Sequence, residues 1–306
     1  MYLYDDSVFI ANDKKNGFTV VKLSQLGKAV TRPDKFFQAG GGHITLAAIG
    51  GKVAYSTWID RDGDNKGRVD VVGLGSNKGR GYHFHLPSGG IHGATTNSGK
   101  IFFAPSDGVC WVNADLTISS NENSVDVHHI SLGENEDGTP RRTGAFTNLE
   151  NSVIFTVGGR SDSPELCIVD ATSAKPSVTK IDMQIEAGHS LSTPTLLQSR
   201  TGKKFALLFE ENPGKGDGEM LHVVSLDPNR DGNFDDAMLN TSVSIGPSLI
   251  EGHSGHHSAV ALSTRFVAVS NPGNGTISLI STSNWEIEST LNVGGNPTRL
   301  VAFGGQ

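Results

Sequence analysis

From end to end, the chain alternates short apolar runs with polar, glycine-rich turns, and the runs come in pairs. Six times a β-rich run is followed by a Gly/Asn/Asp turn and a second β-rich run. The pairs are "SVFIANDKKNGFTVVKL" (7–23), "KVAYSTWIDRDGDNKGRVDVVGL" (52–74), "KIFFAPSDGVCWVNA" (100–114), "SVIFTVGGRSDSPELCIVD" (152–170), "KFALLFEENPGKGDGEMLHVVSL" (204–226) and "RFVAVSNPGNGTISLIS" (265–281). Alternation, β-branched content and turn chemistry mark each as a β-hairpin. Before most hairpins lies a strand of small residues: "HITLAA", "HGATT", "TGAFT", "STPTLL" and "HSAVAL". After them come further extended segments such as "GYHFHL", "VDVHHISL" and "STLNV".

That makes four strands per unit. The unit repeats every 49, 51 and 49 residues from His43 to His92, Thr143 and Ser192. A four-stranded unit of roughly 40–50 residues predicts an all-β fold, a β-propeller with four-stranded antiparallel blades. A single blade leaves both faces uncovered, so blades must stack. About six blades are expected in one propeller domain spanning 1–306. "NPTRLVAFGG" near the C-terminus reads as a first strand with no hairpin after it. It either closes a six-bladed ring against 7–38 or belongs to a larger ring of seven or eight blades. "MYLY" reads as the first blade's own first strand, which leaves the last strand without partners and slightly favours the larger ring, with this chain as a fragment.

Composition narrows the partners. The 306 residues carry a net charge of -7, and Lys and Arg are scattered. This argues against nucleic acid as a partner, because its phosphates demand a basic surface. No apolar run approaches the roughly 18–20 residues of a membrane span, so no membrane insertion is expected. "MYLYDDSVFIAND" lacks a basic start, an apolar run and a cleavage site, and reads as the middle of a strand rather than a signal peptide. Cys110 and Cys167 occupy matching third-strand positions, where blades splay apart, and are expected to be two buried thiols.

The repeat gives the histidines a shared place. His43, His92 and the pair His256/His257 begin first strands, with His189 and His253 just before. First strands line a propeller's channel, so these residues are expected at one rim. Imidazoles with carboxylate support suit Zn²⁺, and also Cu²⁺ or Ni²⁺. Each histidine alone also fits a plain hydrogen bond to a neighbouring blade. The outer-strand pairs His83/His85 and His128/His129 read as solvated edge, and His222 as structural.

"DPNRDGNFDD" follows a D-x-N-x-D-G pattern. Asp227, Asn229, Asp231, Asn233 and Asp235 or Asp236 would supply oxygens to Ca²⁺, but Met238 stands where a bidentate Glu belongs. A Ca²⁺ loop and an empty Asx-rich turn fit equally. No common catalytic motif or phosphate loop is present, which argues against an enzyme. Tyr82, Arg141 and Arg142 could serve a polysaccharide lyase together with rim histidines, though their spacing does not demand it.

"GGIHGATTNSGKIFFAPSDGVCWV", "GGGHITLAAIGGKVAYS" and "VSNPGNGTISLISTSNWEIESTLNVGGNPTRLVAFGG" resemble segments of the AztD-type periplasmic zinc-binding propellers. The resemblance runs in order over most of the chain and is strongest in 39–113 and 253–305. It implies a monomeric metallochaperone, periplasmic or extracellular, that hands Zn²⁺ to the solute-binding protein of a zinc ABC importer. It carries over His43 and His92 directly, with His253, His256 or His257 from the C-terminal cluster. In the family's acidic motif Asp5 and Asp6 are kept, while Tyr4 and Ser7 stand at the histidine positions, and Thr95 or its neighbour replaces a glutamate. The competing reading is a scaffold propeller whose rim binds a protein or glycan.

Overall fold

The computed structural model describes residues 1–28, 35–157, 163–199, 201–252 and 255–303. The strands form six antiparallel sheets in chain order, which we number as blades one to six. Every expected hairpin supplies the two middle strands of a blade: Ser7–Asn12 with Gly17–Lys22, Val53–Thr57 with Arg68–Gly73, Lys100–Phe103 with Val109–Asn113, Ser152–Val157 with Glu165–Asp170, Lys204–Glu211 with Met220–Ser225, and Phe266–Asn271 with Thr276–Ser281. Each blade runs from inner to outer strand in sequence order, as the blades of a β-propeller do.

Contacts divide the described residues into two compact units. The first holds blades one to three with the 170–177 turn of blade four, the second the rest of blade four and blades five and six. Within each unit, cores form between consecutive blades. In the first, Phe9, Phe18 and Val20 pack on Leu46 and Ala54, while Tyr55, Val69 and Val71 face Ile101, Phe103 and Val112. In the second, Ala206, Leu208 and Val224 face Ile154 and Leu166, while Phe205, Leu207 and Phe209 face Val267 and Val269. Neighbours along one strand point to opposite faces, and both faces are covered. This is why "KFALLF" reads as a continuous apolar run instead of an alternating one. Each large side chain so buried contributes about 1.5–3 kcal/mol.

The first strands are shorter than the sequence suggests and start later. They begin at Leu46, Ala94, Thr147 and Ala259 in blades two, three, four and six. In blade five the inner strand is split into Ser190–Leu191 and Thr195–Gln198, both paired with Lys204–Glu211. Pro194 lies in the gap and has no N–H to donate. Residues 296–303, read as an unpaired first strand, belong to no sheet. Leu300 N–H donates instead to Ser258 Oγ at 3.2 Å. No helix among the described residues is long and apolar enough to cross a membrane.

Candidate metal centre

The late start of the first strands puts His43 and His92 in the irregular segments that lead into them. Two glycines set the position of His43. Gly40 has φ +78, a conformation natural to glycine, and its N–H donates to the buried Asp70 carboxylate at 2.7 Å. The other acceptor role of that oxygen holds the Trp58 indole N–H at 2.8 Å. Gly41 bridges to Trp58, and a Cβ there would overlap the indole ring. The backbone is thus pressed flat on blade two, and His43 emerges exposed beyond it. His92 is fixed by the pair His92 N–H to Ala104 O and Ala104 N–H to Gly93 O, each 2.9 Å. It too is exposed.

The two rings lie side by side, with centroids 5.1 Å apart and planes tilted by 36°. His43 Nδ1 is 3.3 Å from Asp13 Oδ2, and His92 Nδ1 is 3.2 Å from Gly144 O. Asp13 comes from the turn between the middle strands of blade one, and its Oδ1 also accepts Ile44 N–H at 3.0 Å. A ring whose Nδ1–H is spent on a carboxylate or carbonyl presents its bare Nε2 to a ligand. Two imidazoles on one tetrahedral zinc, with Zn–N of about 2.0–2.1 Å, have centroids about 5 Å apart. The donor chemistry and the spacing therefore fit zinc at two positions. Among the described residues, no group of three or more His, Cys, Asp or Glu side chains is arranged to hold a metal ion.

Tyr2 and Tyr4, on the inner strand of blade one, steady the same segment. Their hydroxyls donate to Ile44 O at 3.1 Å and Leu46 O at 2.9 Å. Burial pushes both phenols above their ordinary range, so they remain neutral donors.

The structure does not bring Asp5 and Asp6 to His43. They form the turn at the far end of strand Ser7–Asn12 from Asp13, seven residues or about 23 Å away along a strand. There Lys22 Nζ binds Asp6 Oδ1 at 2.7 Å, and Ser7 Oγ donates to the same oxygen. His256 and His257 lie in the second unit, and His257 is committed to other partners. His257 is sealed from solvent, donating from Nδ1 to Ser270 O at 2.8 Å and from Nε2 to Glu219 Oε2 at 2.7 Å. A metal could reach it only by displacing Glu219. The backbone N–H groups of Gly255, His256 and His257 all converge on the buried Glu211 carboxylate. His256 itself is half-buried, and His253 lies outside the described residues. His189 and His222 clasp the two oxygens of Glu210, each at 2.8 Å.

Sequence reading missed Asp13, Glu210, Glu211 and Glu219. Asp13 looked like turn chemistry in "ANDKKNG". The available signal for Glu210 and Glu211 was "LLFEE", two consecutive glutamates ending a run otherwise buried on both faces, while Glu219 lies in the polar turn "GKGDGEM" and gave no such signal.

Of the two readings of the 227–236 loop, the structure gives the Ca²⁺ alternative no support among the described residues. Asp227 is nearly buried, and its Oδ2 faces the Lys204 ammonium at 3.4 Å, so a cation already sits there. Asp227 Oδ1, Asn229 Oδ1 and Asp231 Oδ1 accept from Gly232, Asp231 and Asn233 N–H, a series of turn-forming bonds. Asp227, Asn229 and Asp231 hold this turn network, and together with Asn233, Asp235 and Asp236 they form no metal-holding group among the described residues. The lyase residues do not assemble either. Tyr82 sits on the outer strand of blade two, its hydroxyl pushed up to about 12 by burial and by Asp115. Arg142 donates to Gly90 O at 3.1 Å, beside His92, while Arg141 is buried. Both cysteines are buried and neither is in a disulfide, and burial with the Asp107 charge pushes Cys110 up to about 12.

No protein-family model matches the chain, and no curated protein matches it in sequence. Solved structures do. AztD from Citrobacter koseri is similar over 97% of this chain and 71% of that one, with TM-score 0.63 and 16% identity. The dihydro-heme d1 dehydrogenase NirN in complex with DHE is similar over 96% of this chain and 56% of that one, with TM-score 0.58 and 14% identity. The Swd1 β-propeller domain from Myceliophteria thermophila is similar over 96% and 88%, with TM-score 0.50 and 12% identity. This chain has the β-propeller fold. At these identities the likeness extends to fold alone, and the fold serves an enzyme as well as AztD.

Proposed function

We propose that the protein is a non-enzymatic zinc carrier, which binds Zn²⁺ through His43 and His92 with Asp13 behind His43, and passes it to a docking protein. The observation that supports this is the pair itself: two exposed imidazoles at zinc spacing, each with Nδ1 anchored and Nε2 open. Two protein ligands leave two tetrahedral positions for water or for a partner's side chain. A carrier needs such an open sphere, because a closed four-ligand site releases metal slowly. The resemblance to AztD-type propellers supports the periplasm or another extracellular compartment as its place. It also supports the solute-binding protein of a zinc ABC importer as the receiver.

The test is competitive zinc titration of the wild type against a His43→Ala, His92→Ala double variant. Both side chains are exposed, so the variant should fold and unfold as the wild type does. We expect zinc affinity to fall by at least about tenfold. Unchanged affinity in the folded double variant would overturn the reading.

A further inference from the structure

The second unit carries a cleft that zinc binding leaves unused. It has a volume of about 810 Å³ and lies between blades five and six, lined by the turns after their first strands and by the turn before the last strand of blade six. Strand Lys204–Glu211 begins beside this cleft and ends at Glu211, so the cleft and the buried Glu211–Glu219 cluster occupy opposite ends of blade five. The volume lies within the range of small-molecule sites, roughly 300–1,000 Å³.

Its charge runs against that of the chain. The protein carries -7 overall, yet Lys203, Arg230 and Arg265 line the cleft against a single carboxylate, Glu288. None of the three cations makes an ion pair among the described residues. Lys204, one residue along, is neutralised twice, by Glu150 at 2.8 Å and Asp227 at 3.4 Å. The unpaired positive charge is therefore a property of the cleft and not of its neighbourhood. Clefts lined by one sign of charge concentrate ligands of the other.

The remaining wall is hydroxyl and aromatic. Thr282 Oγ1 donates to Thr264 O at 2.9 Å, and Ser281 and Ser283 hydroxyls bond each other at 2.9 Å, so these groups are held in place before any ligand arrives. Trp285 stands edge-on to Phe205, with ring centroids 5.0 Å apart. Trp285 has φ +60 and Arg230 φ +64, both in the left-handed region that bulky residues avoid. Such backbone persists where the surroundings over-determine it, and it concentrates at ligand-holding sites.

We propose that this cleft binds a small anionic carbohydrate, a sugar bearing a carboxylate or a phosphate. The unpaired guanidinium and ammonium groups take the anionic group. The fixed hydroxyls match a polyol, and the aromatic pair offers an apolar edge to a sugar ring. A metal ion is a poor fit to three cations and one carboxylate.

The experiment is calorimetric titration of the whole chain with galacturonate trimer, glucose 6-phosphate, neutral maltotriose and inorganic phosphate. At least one anionic sugar should saturate the site, and which one does so distinguishes carboxylate from phosphate. Maltotriose and inorganic phosphate should each bind at least about tenfold more weakly, and an Arg230→Ala, Arg265→Ala double variant should lose at least about tenfold for the anionic sugar. Both arginines are exposed, so the variant should fold, and it should bind zinc as the wild type does. The proposal is overturned if neither anionic sugar saturates, if inorganic phosphate alone binds as tightly, or if the double variant keeps its affinity.

Discussion

His257 and Glu219 form an ion pair sealed from solvent in the second unit, Nε2 to Oε2 2.7 Å. Both ring nitrogens of His257 face acceptors, Glu219 on one side and Ser270 O on the other, so the ring is doubly protonated. Burial alone would drive His257 down, but the Glu219 bond, the Ser270 bond and the nearby Glu211 charge outweigh it and raise it above 6.5. Burial likewise works to raise Glu219, and the bonds from His257, Ser248 and Asn212 outweigh it and lower it below 4.5. Replacing His257 with Ala strands a buried carboxylate and should cost about 3–5 kcal/mol, read by guanidinium denaturation.

The same pair gives a stability profile with two flanks. The raised His257 contributes stability that is fully present below about pH 6.5 and is lost as pH rises through its folded value. The lowered Glu219 contributes stability that is present above about pH 4.5 and is lost as pH falls through its folded value. The wild type's advantage over His257→Leu should therefore peak between those limits and shrink toward high pH. A difference that stays flat from about pH 5 to pH 9 would mean the pair is not ionised.

Lys204 holds Glu150 and Asp227 together, and these partners, Glu150 first, raise its pKa above the usual lysine range. Because the ammonium fills the place of a cation in the 227–236 loop, calcium should leave the unfolding temperature unchanged. Lys204→Met should destabilise by about 1–3 kcal/mol, since Asp227 is left buried without its charge partner. A calcium-dependent rise in the wild type's unfolding temperature would contradict this account.

The fold was legible because its signal is repeated six times. Each hairpin carries its own alternation and turn residues, and an error in one does not disturb the others. The lead-in segments were harder, since short runs such as "HITLAA" hold both the end of a loop and the start of a strand. The His43–His92 contact followed from the repeat, because equivalent positions of adjacent blades come together. Asp13 did not follow. It belongs to a different register of the repeat, the turn between middle strands, and it meets His43 across 30 residues. The buried partner of His257 was hidden for a similar reason: Glu219 sits in a polar turn sequence, "GKGDGEM", that reads as solvent-exposed.

Gly41 is tested by its missing Cβ. A methyl group there meets the Trp58 ring, which is itself held by Asp70, so neither side yields easily. Gly41→Ala should cost about 1–3 kcal/mol by overpacking. It should also weaken zinc binding, because His43 lies two residues along the displaced segment. Gly99→Ala is the contrasting control: it has open space around it, and any cost there reflects its positive φ alone.

Asp13 touches His43 through Oδ2 and the backbone of Ile44 through Oδ1. Asp13→Asn keeps an oxygen for the Ile44 N–H and removes the negative charge that orients the imidazole and raises its basicity as a ligand. If the His43–His92 pair is the zinc site, this change should weaken zinc about 10–100-fold while leaving the unfolding midpoint nearly unchanged. Asp13→Ala removes both bonds and should add a stability loss of about 0.5–1.5 kcal/mol on top. The two variants separate the roles of one side chain, because Asn keeps the Ile44 bond while placing an uncharged amide NH₂ where the carboxylate oxygen faced His43, and Ala removes the Ile44 bond as well. Equal zinc affinity in wild type and Asp13→Asn would show that Asp13 merely caps Ile44 and takes no part in holding the metal.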